Sequence, residues 1–248
     1  MELKALVDYT RQLLQVERYA DYCPNGLQLE GRASINKIVS GVTASMALLE
    51  SAKNAGADAI LVHHGYFWKN EDAAIVGLKR NRIKFLLENN ISLLAYHLPL
   101  DAHPALGNNA QLAQKLGLEV TSWQGNQGLV GLGILPSAPS LKDFSQHVEN
   151  KLQRTALVIG DMNKLIKNVA WCTGGAQDYM QDAIDLGVDV FISGEVSEQT
   201  YHLACESGVA FIAAGHHATE RYGVQALGEH LAQHFGIEHE YIEIDNPI

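Results

Sequence analysis

The chain has 248 residues, an apolar fraction of 47%, charged residues at 19% and a formal net charge of −10 at pH 7. That length suits one large α/β domain or two smaller ones with a sizeable core. The acidic balance repels phosphate backbones and disfavours generic nucleic-acid binding. No apolar run approaches the ~18–20 residues that span a bilayer, so no membrane segment is expected.

The opening stretch MELKALVDYTRQLLQVERYADY interleaves Leu3, Leu6, Val7, Leu13 and Leu14 with charge. That is an amphipathic helix, not the continuous apolar core of a signal peptide. NKIVSGV (Asn36–Val42), DAILV (Asp58–Val62) and ISLLAY (Ile91–Tyr96) follow as strands, with the helical SMALLESAKNAG between the first two. The span Thr121–Lys164 gathers Gly, Pro and Ser in SWQGNQGLVGLG and PSAPS, then runs through a helical LKDFSQHVENKL into the short strand ALVIG. A boundary near residue 124 is expected there, dividing a first half, 1–123, from a second, 124–248. NVAWCT (Asn168–Thr173), DVFIS (Asp189–Ser193) and VAFIAA (Val209–Ala214) complete the strands, and GHHATERYGVQALGEHL reads as a helix starting near Gly215. Near-continuous apolar strands alternating with helices indicate a mainly parallel sheet covered on both faces. Cys23, Cys172 and Cys205 are far apart and form no CxxC pair, which fits isolated thiols in a reducing, cytoplasmic setting.

Two of these strand–helix–strand units match each other. Ile35–Gly65 and Ile166–Val196 align without gaps at an offset of 131, so that Gly56 and Asp58 fall on Gly187 and Asp189. LAQKLGLE (Leu112–Glu119) likewise resembles LAQHFGIE (Leu231–Glu238). The expected fold is therefore α/β, with two related α/β/α halves, mainly parallel or mixed sheets, and a dinuclear metal site between the halves.

Ligand sites in open parallel sheets form at the carboxyl ends of strands. His63 and His64 end the strand Asp58–Val62, Asp101 follows Ile91–Tyr96 in YHLPLDAHP, and His216 follows Val209–Ala214 in GHHATER. Consecutive side chains on a strand point to opposite sides, so His63 and His64 are expected to serve two neighbouring ions, or for one to bind an ion while the other supports a ligand. His216 and Glu220 are spaced i, i+4, which places both on one helix face where a carboxylate can bridge two ions. His217 then faces elsewhere, and Asp101 adds an anionic oxygen from a Pro-stiffened loop. Three imidazoles and two carboxylates leave both ions with open positions, the mark of a catalytic rather than a structural site. The nitrogen and oxygen donors suit two divalent ions of Zn, Fe, Mn or Co and argue against a soft metal.

His97 and His103 flank Asp101 and are placed to be further ligands or to hold one. His147, His202, His230, His234 and His239 are expected on solvated surfaces. Glu195 occupies the place of His64 in the repeat; at that strand end it is either a general base or substrate contact or, more simply, a cap for the helix that follows. SGVTAS and CTGGAQ are equivalent strand-to-helix turns that either hold an anion or cap a helix, with Thr43 or Ser45 as the cap in the first.

DYCPNGLQLEG, VSGVTAS, ILVHHGYFW, YHLPLDAH, SGEVSEQT and GHHATER together resemble the NIF-three-like, or GTP cyclohydrolase I type 2 homologue, family, in its short bacterial form without an inserted central domain. The likeness runs from Asp21 to the final DNPI. It implies a dinuclear metal centre on His63, His64, Asp101, His216 and Glu220, and a toroidal homohexamer built as a trimer of dimers with the metal sites facing inward. Many relatives carry a histidine where this chain has Gln199, so no role is transferred to that position.

Two readings follow. In the first, the chain is a metal-dependent hydrolase acting on a nucleotide or purine-like small molecule, cyclohydrolase-like by resemblance; no P-loop is present. In the second, it is a ring-shaped scaffold whose metals hold it together or dock a partner, without catalysis. Single-stranded nucleic acid in the lumen of such a ring is disfavoured by the acidic balance.

Overall fold

Alternating apolar residues build the first sheet. The computed structural model describes residues 1–248 and falls into two units, Met1–Gly107 with Gly223–Asp245, and Asn108–Tyr222 with Asn246–Ile248. The first unit contains α1 (Leu3–Leu13), β1 (Gly26–Leu29), β2 (Lys37–Thr43), α2 (Met46–Asn54), β3 (Ala59–His64), α3 (Gly77–Glu88), β4 (Ser92–Ala95) and α4 (Leu98–Ala102). The second runs through α5 (Asn108–Leu116), β5 (Glu119–Gln124), β6 (Val130–Ile134), α6 (Leu141–Leu152), β7 (Leu157–Ile159), β8 (Asn168–Trp171), α7 (Met180–Asp185), β9 (Val190–Ser193), α8 (Glu198–Ser207) and β10 (Ala210–Ala213). The division falls inside α9 (His216–Phe235), and β11 (Glu238–Tyr241) belongs to the first unit.

The first sheet has the order β1-β4-β3-β2-β11. β4, β3, β2 and β11 are parallel, and β1 is antiparallel on one edge. Val39, Ile60, Val62, Leu93 and Ala95 face a core shared with Leu48 and Leu49 of α2 and Ile83 and Leu86 of α3. The intervening residues Ile38, Ala59, Leu61 and Leu94 face the opposite core with Leu3 and Leu6 of α1 and Val224, Leu227 and Leu231 of α9. Strand periodicity of two thus feeds two helical layers, as a parallel sheet requires.

The second sheet, β5-β6-β8-β9-β10-β7, is mixed: β8, β9 and β10 are parallel, while β5, β6 and β7 pair antiparallel. Val169, Trp171, Val190, Ile192, Ala210 and Ile212 pack with Phe144 and Val148 of α6 and Leu112 and Leu116 of α5. The expected boundary near residue 124 falls at the end of β5, which pairs with β6 inside the second unit. The Gly- and Ser-rich composition there marks a hairpin connection, not a linker.

The repeat is structural down to single hydrogen bonds. Asp58 Oδ2 accepts from the backbone N–H groups of Asn36 and Lys37, and Asp189 Oδ2 accepts from those of Lys167 and Asn168, at the same offset. Each aspartate ties the start of its own strand to the strand before it. Gly56 and Gly187, at φ +77 and +66, end the preceding helices in the left-handed conformation. Asp58 is buried and also pairs with Arg32 at 2.7 Å, whereas the Asp189 side chain is 26% exposed. Asp58→Ala is therefore expected to cost about 3 kcal/mol and Asp189→Ala about 1–2 kcal/mol, because buried donors left unsatisfied cost more. Urea unfolding midpoints of the two variants check the ranking; equal losses would contradict it.

Candidate metal centre

In the first unit, β2, β3 and β4 run parallel and end on one edge, with Thr43 beside His64 and Val62 beside Ala95. β3 extends through both histidines. His63 is fully buried, and its Nδ1 lies 2.9 Å from the Tyr96 carbonyl oxygen. A carbonyl only accepts, so Nδ1 carries the proton and Nε2 carries the lone pair. That Nε2 lies 3.5 Å from Asp101 Oδ1. Asp101 is buried on α4, with Pro99 in its first turn. The expected loop is thus a short helix, and its Leu100 and Asp101 N–H groups both donate to His97 O.

His64 Nδ1 lies 3.3 Å from Thr43 Oγ1. The His63 and His64 rings are only 4.6 Å apart, which corrects the expectation that adjacent histidines on a strand diverge. Alternation fixes the Cβ directions, but β3 ends at His64 and the two rings converge beyond the last pleat. His97 joins them: the donor atoms of His63, His64 and His97 all lie within 4.8 Å of one another. His97 Nδ1 bonds Asp21 Oδ1 at 2.7 Å, and Asp21 Oδ2 accepts from Asn25 Nδ2 and the Leu98 N–H. Burial works against the Asp21 charge, but His97 and Asn25 outweigh it and hold the carboxyl below its ordinary value. Cys23 lies beside Asp21 and His97, yet burial, with the charges of Asp21 and Asp101, pushes its thiol up to about 12. It stays protonated near neutrality in the metal-free chain. His103 takes no part in the cluster: its Nδ1 accepts from the Ala105 and Leu106 N–H groups and caps a turn.

In the second unit, His216 opens α9 and Glu220 follows one turn later, as expected for a pair on one face. His216 Nε2 lies 3.0 Å from Glu220 Oε2, and its Nδ1 lies 2.6 Å from Glu195 Oε1. The expectation that Glu195 caps the next helix is corrected. Ser197 caps α8 by accepting from the Thr200 N–H, while Glu195 fixes the His216 ring. A carboxylate on the far nitrogen of a ligand histidine sets its tautomer and raises its basicity. His217 is separate from the pair; its backbone N–H donates to Ile248 O. Gly174, at φ +70, makes room for the pair: a Cβ there would lie 1.9 Å from Glu220 Oε1 and 3.1 Å from His216 Nε2.

Burial disfavours a charged His216, but its hydrogen bonds to Glu220 and Glu195 and their charges prevail, raising it to about 9. A positive charge is thus already accommodated between two carboxylates, where a cation would displace the Nε2 proton. Two opposite pH dependences are expected. Metal affinity rises about tenfold per unit of pH up to about 9, as the competing proton leaves. Stabilisation of the metal-free chain by charged His216 is complete below 6.5 and lost as pH rises through about 9. Competitive chelator titrations and thermal melts check both; an affinity flat between pH 6.5 and 9 would contradict the first.

The remaining histidines are less solvated than expected. Tyr9 bonds His230 Nε2 at 2.7 Å and stacks on His234 at 4.0 Å. His147 Nε2 lies 3.1 Å from Leu116 O, and His239 Nε2 lies 2.8 Å from Ser40 Oγ. His202 and Gln199 are exposed. None of the three cysteines is in a disulfide, and no helix is long and apolar enough to cross a membrane.

Two internally related α/β units, each carrying imidazole and carboxylate donors that could hold a metal, define the class of protein. The chain belongs to the DUF34/NIF3 (NGG1p interacting factor 3) family, whose profile matches residues 1–247. It is similar to the GTP cyclohydrolase 1 type 2 homolog of Pseudomonas aeruginosa, at 56% identity over 248 residues, 99% of this chain and 98% of the relative. It is also similar to the protein of that name from Neisseria meningitidis serogroup B, at 52% identity over 96% of both chains. Among solved structures it is similar to the protein ybgI, described as of unknown function, at 49% identity and TM-score 0.97 over 100% of both chains. TTHA1606 from Thermus thermophilus is similar at 33% identity and TM-score 0.90, covering 100% of this chain and 99% of that one.

Proposed function

We propose that the chain is a dinuclear metal-dependent hydrolase acting on a nucleotide or purine-like small molecule. His63, His64 and Asp101 of the first unit and His216 and Glu220 of the second would hold two divalent ions of Zn, Fe, Mn or Co. The observation that carries this reading is the fixed orientation of His63 and His216, each held through Nδ1 by a second group with Nε2 toward a carboxylate. The donor set is nitrogen and oxygen throughout, and five donors shared by two ions leave positions for water and substrate.

Bound there, two such ions would supply Lewis acidity and lower the pKa of a water. The chain's residues do the rest. Asp101 and Glu220 would place negative charge against the ions, and Glu195 keeps His216 in register. A cavity of about 510 Å³ in the second unit is lined by Arg154, Thr155, Gly194, Glu195 and Ala213. That volume is ordinary for a small-molecule site, and a guanidinium at its wall suits an anionic or carbonyl-bearing substrate. The names of the relatives point to ring opening of a guanine nucleotide, which places GTP first in a substrate panel.

The test is turnover of nucleotides, cyclic amides and phosphoesters by metal-loaded protein, with His64→Ala and Glu220→Gln as controls. Hydrolysis lost in both variants supports the reading. Failure on the whole panel, together with a large fall in melting temperature on chelation, favours the scaffold reading instead.

We place the chain in the cytoplasm on its isolated thiols, and we extend the reading to a toroidal homohexamer. What supports association on this chain is the exposed apolar run Ile75, Val76 and Leu78 before and at the start of α3, 52%, 64% and 75% exposed. A solution mass near six times 27.1 kDa is expected by light scattering; a 27.1 kDa species would overturn it.

A further inference from the structure

The loop that follows His64, GYFWKN, is held more tightly than a connection to α3 requires. Both backbone groups of Tyr66 bind one amide: its N–H donates to Gln28 Oε1 at 2.7 Å, and its carbonyl accepts from Gln28 Nε2 at 3.0 Å. Gly65 lets that amide in, since a Cβ there would collide with Gln28 Oε1. The Tyr66 hydroxyl donates to Ala44 O at 2.8 Å. Further on, the Trp68 N–H donates to Glu71 Oε2 at 3.1 Å and the Lys69 N–H to Tyr22 O at 2.5 Å. Between these anchors Phe67 stands at φ +66, a left-handed conformation that is strained for a bulky residue. The strained turn brings Trp68 back to the strand end the chain has just left. Its ring lies 6.0 Å from that of His64, and 5.1 Å from that of His97 at 85°. Tyr22, tied to the same loop through its carbonyl, sets its ring 6.3 Å from His97 and is 61% exposed.

We propose that Trp68 and Tyr22 form a stacking subsite beside the candidate metal centre, which takes the planar bicyclic ring of a nucleobase or similar heterocycle by its face. A large aromatic ring left mostly in water, on a backbone fixed by hydrogen bonds, is a binding face ordered before its ligand arrives. Indole and phenol rings stack on any planar heteroaromatic ring and add affinity without reading its hydrogen-bonding edge. The subsite therefore selects for a planar ring and against a bare sugar phosphate, and it treats guanine and adenine alike. A ring seated on Trp68 lies beside His64, where the proposed hydrolysis acts. The subsite deepens the hydrolase reading and rests on it only for the use made of the bound ring.

The test titrates GMP, AMP and ribose 5-phosphate into the metal-loaded chain, with binding followed by calorimetry and tryptophan fluorescence. Ribose 5-phosphate offers the same phosphate to the metals but no ring. GMP and AMP are expected to bind with similar affinity and to quench Trp68, and ribose 5-phosphate to bind at least about tenfold more weakly. Trp68→Leu is expected to weaken both nucleotides about 10- to 100-fold and to abolish the quenching, and Trp68→Phe, which restores a planar face, to recover most of the loss. Tyr22→Leu, a change on an exposed ring, is expected to cost about tenfold and keeps the test open if Trp68→Leu unfolds. All three variants are expected to keep the metal content of the wild-type chain. Equal binding of the three ligands, or nucleotide affinity unchanged in Trp68→Leu and Tyr22→Leu, would overturn the subsite. So would loss of metal in Trp68→Leu with normal nucleotide binding in Tyr22→Leu, which would make Trp68 a support for the histidines. Trp68-dependent nucleotide binding in a chain that hydrolyses nothing would overturn the hydrolase reading and uphold the subsite. Turnover with KM unchanged in Trp68→Leu would uphold that reading and overturn the subsite.

Discussion

Glu220→Gln is expected to reduce the metal content of the dialysed chain from two ions to at most one, with the affinity of any ion held by His216 lowered about 100-fold. Glu220 is 3% exposed and faces His216 Nε2 at 3.0 Å, so glutamine fills the same space and removes chiefly the charge and one strong acceptor. The proton on His216 loses one of the two carboxylates that hold it, so its pKa falls from about 9 toward 6.5. The matched control is Glu195→Gln. It acts only on Nδ1 of the same ring, and its amide oxygen still accepts a hydrogen bond. That variant is expected to keep both ions with affinity lowered about tenfold. Elemental analysis after equilibrium dialysis separates the two; equal metal content in both would remove Glu220 from the ligand set.

Gly174→Ala carries the second large effect, and it reaches the site without touching a ligand. An alanine Cβ would sit 1.9 Å from Glu220 Oε1 and 2.8 Å from its Cδ, and φ at +70 is itself costly for a residue with a Cβ. The carboxylate, only 3% exposed, must turn away from His216. The expected loss is about 2–3 kcal/mol of stability and at least about tenfold in metal affinity. Gly187→Ala is the control: its φ is +66, but nothing lies within 4 Å of the added Cβ. It should cost only about 1 kcal/mol and leave metal binding unchanged. If both variants lose the same stability and neither loses metal, Gly174 is a turn residue and nothing more.

The apolar strands were legible because they are buried on both faces: DAILV and DVFIS read as strands from composition alone, and they are β3 and β9. β11 was not. Glu238–Tyr241 is a polar edge strand with alternating exposure, and edge strands carry no apolar signature. β1, β5 and β6 escaped for a similar reason, since they depend on antiparallel pairing that local composition does not report. The boundary near residue 124 misread a hairpin connection, because Gly and Ser mark turns within a unit as readily as links between units.

The placement of His63 and His64 at the end of β3 and of His216 just after β10 followed from periodicity, and the i, i+4 rule correctly joined His216 to Glu220. The roles of Glu195, His97 and Asp21 did not follow, because each is defined by a hydrogen bond to a residue 21 or 76 positions away. The repeat held a usable signal for Glu195, which sits where His64 sits in the first copy. Gly174 was visible only as half of a Gly-Gly turn, and its purpose appears only when Glu220 occupies the space a side chain would need.

The most direct test of the central claim is the metal content of purified chain, measured by elemental analysis after exhaustive dialysis against buffer with one divalent metal in slight excess. Two ions per chain, falling to one or fewer in Glu220→Gln, is the expected result. A wild-type chain that retains no metal, or that retains two ions regardless of Glu220 and His63, would contradict it.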